Sequence, residues 1–247
     1  MSPMNTERTG FLIVFVSVLA VILVGCVQQP KIITDSMSLN VTATITDASA
    51  FIEAGCIETG NGWLNCSSIG LEKMFSCEEI KVPGDFGGLS SKVPIVECNV
   101  LVENWTGDMD VGIMHLGCLY PLFKKYIIIE NGEYKLIGSK EEFIQFFAPV
   151  ESPEEALGFA VALTGSYPVY NMTIPESYKV FVSEIKTTYV KESDGEFNVH
   201  LFNMQICGCG NHPYYSIDYI VTRAGEVNTM SSERIYENPQ FSDMCVD

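Results

Sequence analysis

The stretch YIIIENGEYKLIGSKEEFIQFFAPVESPEEALGFAVALTG, residues 126–165, decides the fold class of this 247-residue chain. Asn131-Gly132 stands between the runs YIIIE and EYKLI. Asn-Gly is the dipeptide that a type I′ turn prefers, because both central residues need a positive φ. Residues 126–137 therefore predict a β-hairpin.

Two helix starts follow the hairpin. Ser139 with Glu142, and Ser152 with Glu155, have the spacing of a capping box, in which the serine side chain accepts from the third helical N–H. The second helix is apolar almost all round and stops at Gly165. A helix of that kind is buried, so we expect it to pack against a sheet.

The sheet follows in the sequence. Residues 178–190, 197–206 and 214–222 are rich in β-formers, and Ser193-Asp194-Gly195 separates the first two runs. A final short strand or tail is expected after the turn at Ala224-Gly225. The C-terminal half is therefore predicted to be α+β, with two helices packed on an antiparallel β-meander.

The part before residue 126 is predicted to be a β-rich half cross-linked by disulfides. Strand-like runs such as 93–102 alternate with glycine-bearing turns, and a short helical piece is expected at 70–75. The predicted organisation is a leader at 1–25, a tether at 26–36, a β-rich cysteine-containing region at 37–125 and an α+β domain at 126–247.

The N-terminus predicts export. Residues 11–24 form an apolar run with Ser17 as its one polar residue, and Arg8 precedes it. A run of this length with a cationic flank is typical of a secretory signal. Extended to Val27 it approaches the length that spans a bilayer, so an uncleaved membrane anchor is the alternative.

Leu23-Val24-Gly25-Cys26 resembles the lipobox of prokaryotic lipoproteins, in which a small residue precedes a cysteine that becomes lipid-modified and N-terminal. The resemblance implies that Cys26 carries lipid, such as palmitate, and that the signal peptide is removed. The expected location is the extracytoplasmic face of the cell membrane. The first expected partner is therefore the membrane, held through the N-terminal lipid or through the uncleaved helix.

The net charge of the chain limits which other partners are expected. The formal net charge is −17, and removal of residues 1–25 takes away Glu7 and Arg8 together, so it is unchanged. A strongly acidic domain repels phosphate backbones, which argues against nucleic-acid binding. The remaining expectation is an unknown protein or small-molecule ligand.

Four Asn-X-Ser/Thr triplets are candidate glycosylation sites on surface loops: Asn40, Asn65, Asn104 and Asn171.

The chain has nine cysteines, and assigning Cys26 to lipid leaves an even number. In an oxidising compartment this predicts four disulfides. The sequence does not pair them, because eight cysteines allow 105 connectivities. The candidates are Cys56, Cys66, Cys77, Cys98, Cys118, Cys207, Cys209 and Cys245.

The segment QICGCGNHPY, residues 205–214, offers three interpretations. Cys207, Cys209 and His212, with His200 as a fourth ligand, would form a zinc site, although the paired Cys-x-x-Cys spacing of strong zinc motifs is missing. The two cysteines would alternatively form a redox dithiol. The favoured interpretation is a pair of structural disulfides that fasten this loop, for instance to the N-terminal half and to Cys245.

Catalytic motifs are absent from the sequence: it contains no Gly-x-Ser-x-Gly elbow, His-Glu-x-x-His helix or phosphate-binding glycine loop. No cofactor is expected, and the protein is not expected to be an enzyme. The predicted function is a cell-surface, lipid-anchored, non-catalytic binding module. The alternative is an extracytoplasmic metal-binding or thiol-redox protein that uses Cys207, Cys209 and His212.

Two segments resemble parts of PepSY-like domains. SPEEALGFA, from Ser152, matches a helix that opens with Glu-Glu-Ala, and IVTRAGEV, from Ile220, matches a strand that ends in a Gly-Glu-Val turn. The intervening strands are longer than in a compact PepSY unit, and a cystatin-like helix on a sheet fits about as well. The resemblance implies a binding or inhibitory module, and no site residue is carried over from it.

Overall fold

The computed structural model describes residues 29–33, 44–107 and 111–246. Over these residues the chain contains five α-helices and many antiparallel strands, with 19% helix and 40% strand. The predicted α+β class is confirmed. The lipobox cysteine Cys26 and the triplet at Asn40 lie outside the described residues.

The helices are α1 Ser49–Ala54, α2 Leu71–Phe75, α3 Gly87–Ser90, α4 Lys140–Phe147 and α5 Pro153–Thr164. The first eight strands are β1 Lys31–Ile33, β2 Ile57–Gly60, β3 Trp63–Asn65, β4 Cys77–Lys81, β5 Ile95–Leu101, β6 Met114–His115, β7 Leu122–Glu130 and β8 Glu133–Ile137. The remaining strands are β9 Lys179–Val180, β10 Glu184–Lys186, β11 Tyr189–Ser193, β12 Glu196–Met204, β13 Gly208–Cys209, β14 Tyr214–Val221, β15 Val227–Glu237 and β16 Cys245–Val246.

Two antiparallel sheets form the frame. The seven-stranded sheet has the order β2-β3-β4-β5-β7-β6, with β8 also paired to β7. The five-stranded sheet has the order β11-β12-β14-β15-β9. The predicted hairpin therefore belongs to the first sheet, and β7 runs across the predicted domain boundary at residue 126. Among the described residues, none of the helices combines the length and the hydropathy that a membrane span requires.

The largest core lies between the two sheets, where α4 and α5 pack. Phe143, Phe147 and Phe159 from these helices are buried against Tyr126 of the first sheet and Val199 of the second. A second cluster covers the other face of the seven-stranded sheet and contains four buried half-cystines. The helices thus join both sheets into one packed unit.

Alternation along the strands sets the two faces of the five-stranded sheet. Phe197, Val199 and Leu201 of β12 face the core, and so do Ile217 and Tyr219 of β14. Because side chains alternate along a strand, the intervening residues point to the opposite face. That outer face carries the site described below.

A short parallel pair crosses this outer face. β1 pairs with β10, with Lys31 opposite Glu184 and Ile33 opposite Lys186. Part of the predicted tether at 26–36 is therefore a strand, held by packing of Ile32 against Ile185 and its neighbours.

Candidate functional site

A row of polar side chains crosses four strands of the five-stranded sheet. Tyr189 of β11 stands opposite His200 of β12, His200 stands opposite Asp218 of β14, and Asp218 stands opposite Ser231 of β15. We call these four residues the polar row. Directly opposed residues share a face, so the sheet register alone brings them together.

Asp218 is the centre of the polar row. Its Oδ1 accepts from Nδ1 of His200 at 2.7 Å and from the hydroxyl of Tyr189 at 3.2 Å. Its Oδ2 accepts from the hydroxyl of Ser231 at 2.7 Å. Burial raises the pKa of Asp218, but hydrogen bonds from His200, Ser231 and Tyr189 and the charge of His200 outweigh it and lower the pKa to about 2. Asp218 is thus a carboxylate at neutral pH.

His200 is held on three sides. Its ring stacks on the ring of Tyr189, with centroids 5.1 Å apart and an interplanar angle of 2°, and it meets Phe202 edge-on at 5.4 Å. The residue is 5% exposed. Its Nε2 is buried and finds no hydrogen-bond partner among the described residues. A buried polar atom without a partner lowers the stability of the folded protein. A ligand group that forms a hydrogen bond with this nitrogen would remove that cost.

A groove of about 500 Å³ opens beside the polar row. One wall is the segment 181–186, which includes β10, and the other is the outer face of β14 and β15. All four residues of the polar row line the groove, together with Phe181, Val182, Ser183, Glu184, Ile185, Lys186, Ser216 and Glu233. The lining is polar and contains more carboxylates than cations.

The polar row is not a catalytic triad. A serine nucleophile needs its hydroxyl bonded to the base. Here the hydroxyl of Ser231 donates to the acid, Asp218, and Nε2 of His200 has no partner in the described part of the chain. The arrangement can hold a ligand but has no activated nucleophile.

The four predicted disulfides are present. They join Cys56 to Cys66, Cys77 to Cys98, Cys118 to Cys207 and Cys209 to Cys245. The loop at 205–214 is thus fastened to the N-terminal half and to the C-terminal end, as the favoured interpretation of that segment proposes.

The residues of the alternative metal site are not brought together. Cys207 and Cys209 are each in a disulfide. The ring nitrogens of His212 lie 3.0 Å and 2.9 Å from the carbonyl oxygens of Gln205 and Met244, while His200 belongs to the polar row. Within the described ranges, no group of three or more His, Cys, Asp or Glu side chains could hold a metal ion.

The remaining candidates are on the surface or in packing contacts. Asn65, Asn104 and Asn171 are exposed, as glycosylation would require. His115 lies between Trp105 and Phe123, with ring centroids 4.6 Å and 4.8 Å away. Its Nε2 donates to the carbonyl of Tyr120 at 2.9 Å, which accounts for this histidine structurally.

Sequence reasoning named His200 only as a zinc ligand and missed its partners Tyr189, Asp218 and Ser231. The alternation of polar and apolar residues along 197–202 and 216–221 places His200 and Asp218 on the polar face of their strands, but it carries no signal for Tyr189 or Ser231. Comparison with protein-family models, with curated proteins and with solved structures finds no match.

Proposed function

We propose that this protein is a lipid-anchored, extracytoplasmic, non-catalytic binding module whose ligand occupies the groove beside the polar row. The lipobox and the apolar run before it support anchoring through Cys26. Every cysteine except Cys26 is in one of the four disulfides, which supports an oxidising compartment.

The observation that carries the proposal is His200 Nε2, a buried nitrogen without a partner in the described part of the chain, on a residue that lines the groove. Native proteins satisfy nearly all buried polar atoms, and those left unpaired need an explanation. A ligand group that reaches this nitrogen supplies the missing hydrogen bond. The rest of the polar row fixes the ring, because Asp218 and Tyr189 hold it from two directions.

The chemistry of the groove favours a small ligand that donates hydrogen bonds. Asp218, Glu184 and Glu233 line it as acceptors, against Lys186 as the cation of the lining. The chain as a whole carries −17, which raises the local concentration of cations. Ammonium or hydroxyl groups therefore suit the groove, and a phosphate or carboxylate ligand does not.

The test is thermal unfolding of the detergent-solubilised full-length protein with three probes: spermidine, methyl glucoside and inorganic phosphate. Ser231→Ala removes a hydroxyl of the polar row, and Ser232→Ala is the matched control. Ser232 follows in the same strand and is exposed, but it lines a different, smaller depression of about 240 Å³. Both variants delete one hydroxyl from β15.

Spermidine or methyl glucoside is expected to raise the melting temperature of wild type and Ser232→Ala, with a smaller effect on Ser231→Ala. At a ligand concentration near 100 times Kd the stabilisation is about 2.7 kcal/mol, or about 5–11 °C for a domain of this size. Equal shifts in the two serine variants, or a shift with phosphate alone, would contradict this assignment of the groove.

A further inference from the structure

The chain enters the described structure at one end of the β1–β10 pair. The backbone N–H of Lys31 donates to the carbonyl of Ser183 at 2.8 Å, and the two strands are parallel. Gln29 and Pro30, the described residues before Lys31, therefore lie on the side of the residues that precede Glu184, which are Phe181, Val182 and Ser183. The described part of the chain begins on this side of the module.

The connection to the anchor is short. Four residues, 27–30, separate Cys26 from Lys31. A fully extended chain advances about 3.3–3.6 Å per residue, so Lys31 lies within about 18 Å of the anchored residue. An uncleaved helix that ends near Val27 gives a similar limit. A module on so short a connection cannot present an arbitrary face to the bilayer.

The surface at this end combines an aromatic ring with long cationic side chains. Phe181 is 38% exposed. The guanidinium carbon of Arg234 lies 4.0 Å from its ring centroid and Nζ of Lys179 lies 5.0 Å from it. We call Lys31, Lys179, Phe181 and Arg234 the anchor-side surface. Side chains of this kind place apolar parts at a membrane interface while the charged ends stay in water.

The charges of the anchor-side surface are compensated locally. Lys31 lies 3.9 Å from Glu184. Glu237, which is 3% exposed, pairs with Arg234 and with Lys179, the latter at 3.3 Å. The anchor-side surface therefore has three cationic side chains, and one of the carboxylates that pair with them is buried. In a chain of net charge −17, lipid headgroups repel such a surface less than they repel the rest of the protein surface.

We propose that the anchor-side surface faces the membrane to which the chain is attached, with the Phe181 ring at the headgroup level of the bilayer. This inference rests on the proposed anchoring near Cys26 and adds an orientation to it. The groove beside the polar row then lies next to the membrane, because Phe181 belongs both to its wall and to the anchor-side surface.

The test is fluorescence quenching in full-length protein reconstituted into phosphatidylcholine vesicles that contain a brominated phospholipid. Phe181→Trp places a reporter on the anchor-side surface. Ile57→Trp is the matched control, because Ile57 is 64% exposed and lies on an edge strand of the other sheet. Trp63 and Trp105 are present in every sample, so the wild type provides the baseline.

The brominated lipid is expected to quench the added fluorescence of Phe181→Trp and to leave that of Ile57→Trp unchanged. Equal quenching of both, or of neither, would overturn the orientation, provided the intact mass shows the lipid on Cys26 or the uncleaved leader. A blue-shifted Phe181→Trp signal that lipid bromine does not quench would also overturn it, because a second copy of the chain would then cover this surface. Failure of the anchoring itself is seen separately, as an unmodified mass and release from the membrane fraction.

Discussion

Removal of the Cys118–Cys207 disulfide should destabilise the protein more than removal of Cys209–Cys245. The first bridge closes 89 residues and the second closes 36. No other cysteine lies between Cys118 and Cys207, so no other bridge shortens that loop in the unfolded chain. The bridge also ties the loop after β6, in one sheet, to the end of β12 in the other.

The loop-closure relation gives about 4.6 kcal/mol for the longer loop and about 3.8 kcal/mol for the shorter one. For a domain of this size the larger value corresponds to a decrease of about 9–18 °C in melting temperature. The two pairs are a fair comparison because three of their four cysteines are exposed and the fourth, Cys118, is only half-buried. Alanine replacement therefore leaves no large cavity in either case.

The assay is guanidinium unfolding of wild type, Cys118→Ala with Cys207→Ala, and Cys209→Ala with Cys245→Ala. Intact mass with a thiol alkylator first verifies that the remaining cysteines are oxidised. The midpoint should fall furthest for the Cys118 pair, and the slope should be steeper in both variants than in wild type, because an unfolded chain with one bridge fewer is more expanded. A smaller loss for the Cys118 pair than for the Cys209 pair would refute loop entropy as the dominant effect of these bridges.

Two further predictions concern the site and the packing of the helices. Because the pKa of Asp218 is lowered from its ordinary value of 3.8 to about 2, its contribution to the free energy of unfolding is present above pH 3.8 and is lost as pH falls toward 2. Because Asp218 is partly exposed, that contribution is about 1 kcal/mol. Asp218→Asn should remove it, so the stability of the variant should fall less between pH 4 and pH 2 than that of wild type. The same loss of stability in both proteins would count against the hydrogen bonds of the polar row. Gly88→Ala should cost about 1–3 kcal/mol by overpacking, since its Cβ would lie 2.5 Å from the backbone carbon of Glu154. Gly84→Ala is the control, with no atom within 4 Å of its Cβ, and equal denaturation midpoints for the two would exclude close packing of α3 on α5.

The elements predicted best from the sequence are those with local signals. Asn131 and Gly132 both have positive φ, 53° and 81°, as the predicted turn requires. The side chains of Ser139 and Ser152 accept from the backbone N–H of Glu142 and Glu155, as the capping boxes predict. Each of these signals acts within four residues, so no knowledge of the rest of the fold is needed.

Elements that depend on distant partners were predicted less well. The single strand expected at 178–190 is instead the three pieces β9, β10 and β11, because β10 leaves the sheet and pairs with β1, more than 150 residues earlier. The short strand or tail expected near the end is the 11-residue β15. Most of β15 is exposed and polar, so it lacks the apolar alternation by which strands are recognised.

The polar row shows why the candidate site could not be predicted. Its members stand at 189, 200, 218 and 231, and each spacing combines strand lengths with a connection of different length. β15 also carries a bulge opposite Asp218 and Tyr219. A bulge changes which side chains face each other, so the meeting of Ser231 with Asp218 follows from the three-dimensional register and not from any spacing.

The segment 181–186 lines the groove beside the polar row, and its strand β10 pairs with β1. Its strand β10 forms one wall of the groove, and its strand partner in the described part of the chain is β1. β1 begins five residues after Cys26, so the wall that covers the polar row is held by the residues nearest the proposed anchor. In the proposed arrangement, the three residue pairs of β1 and β10 connect the attachment to the membrane with the wall of the groove.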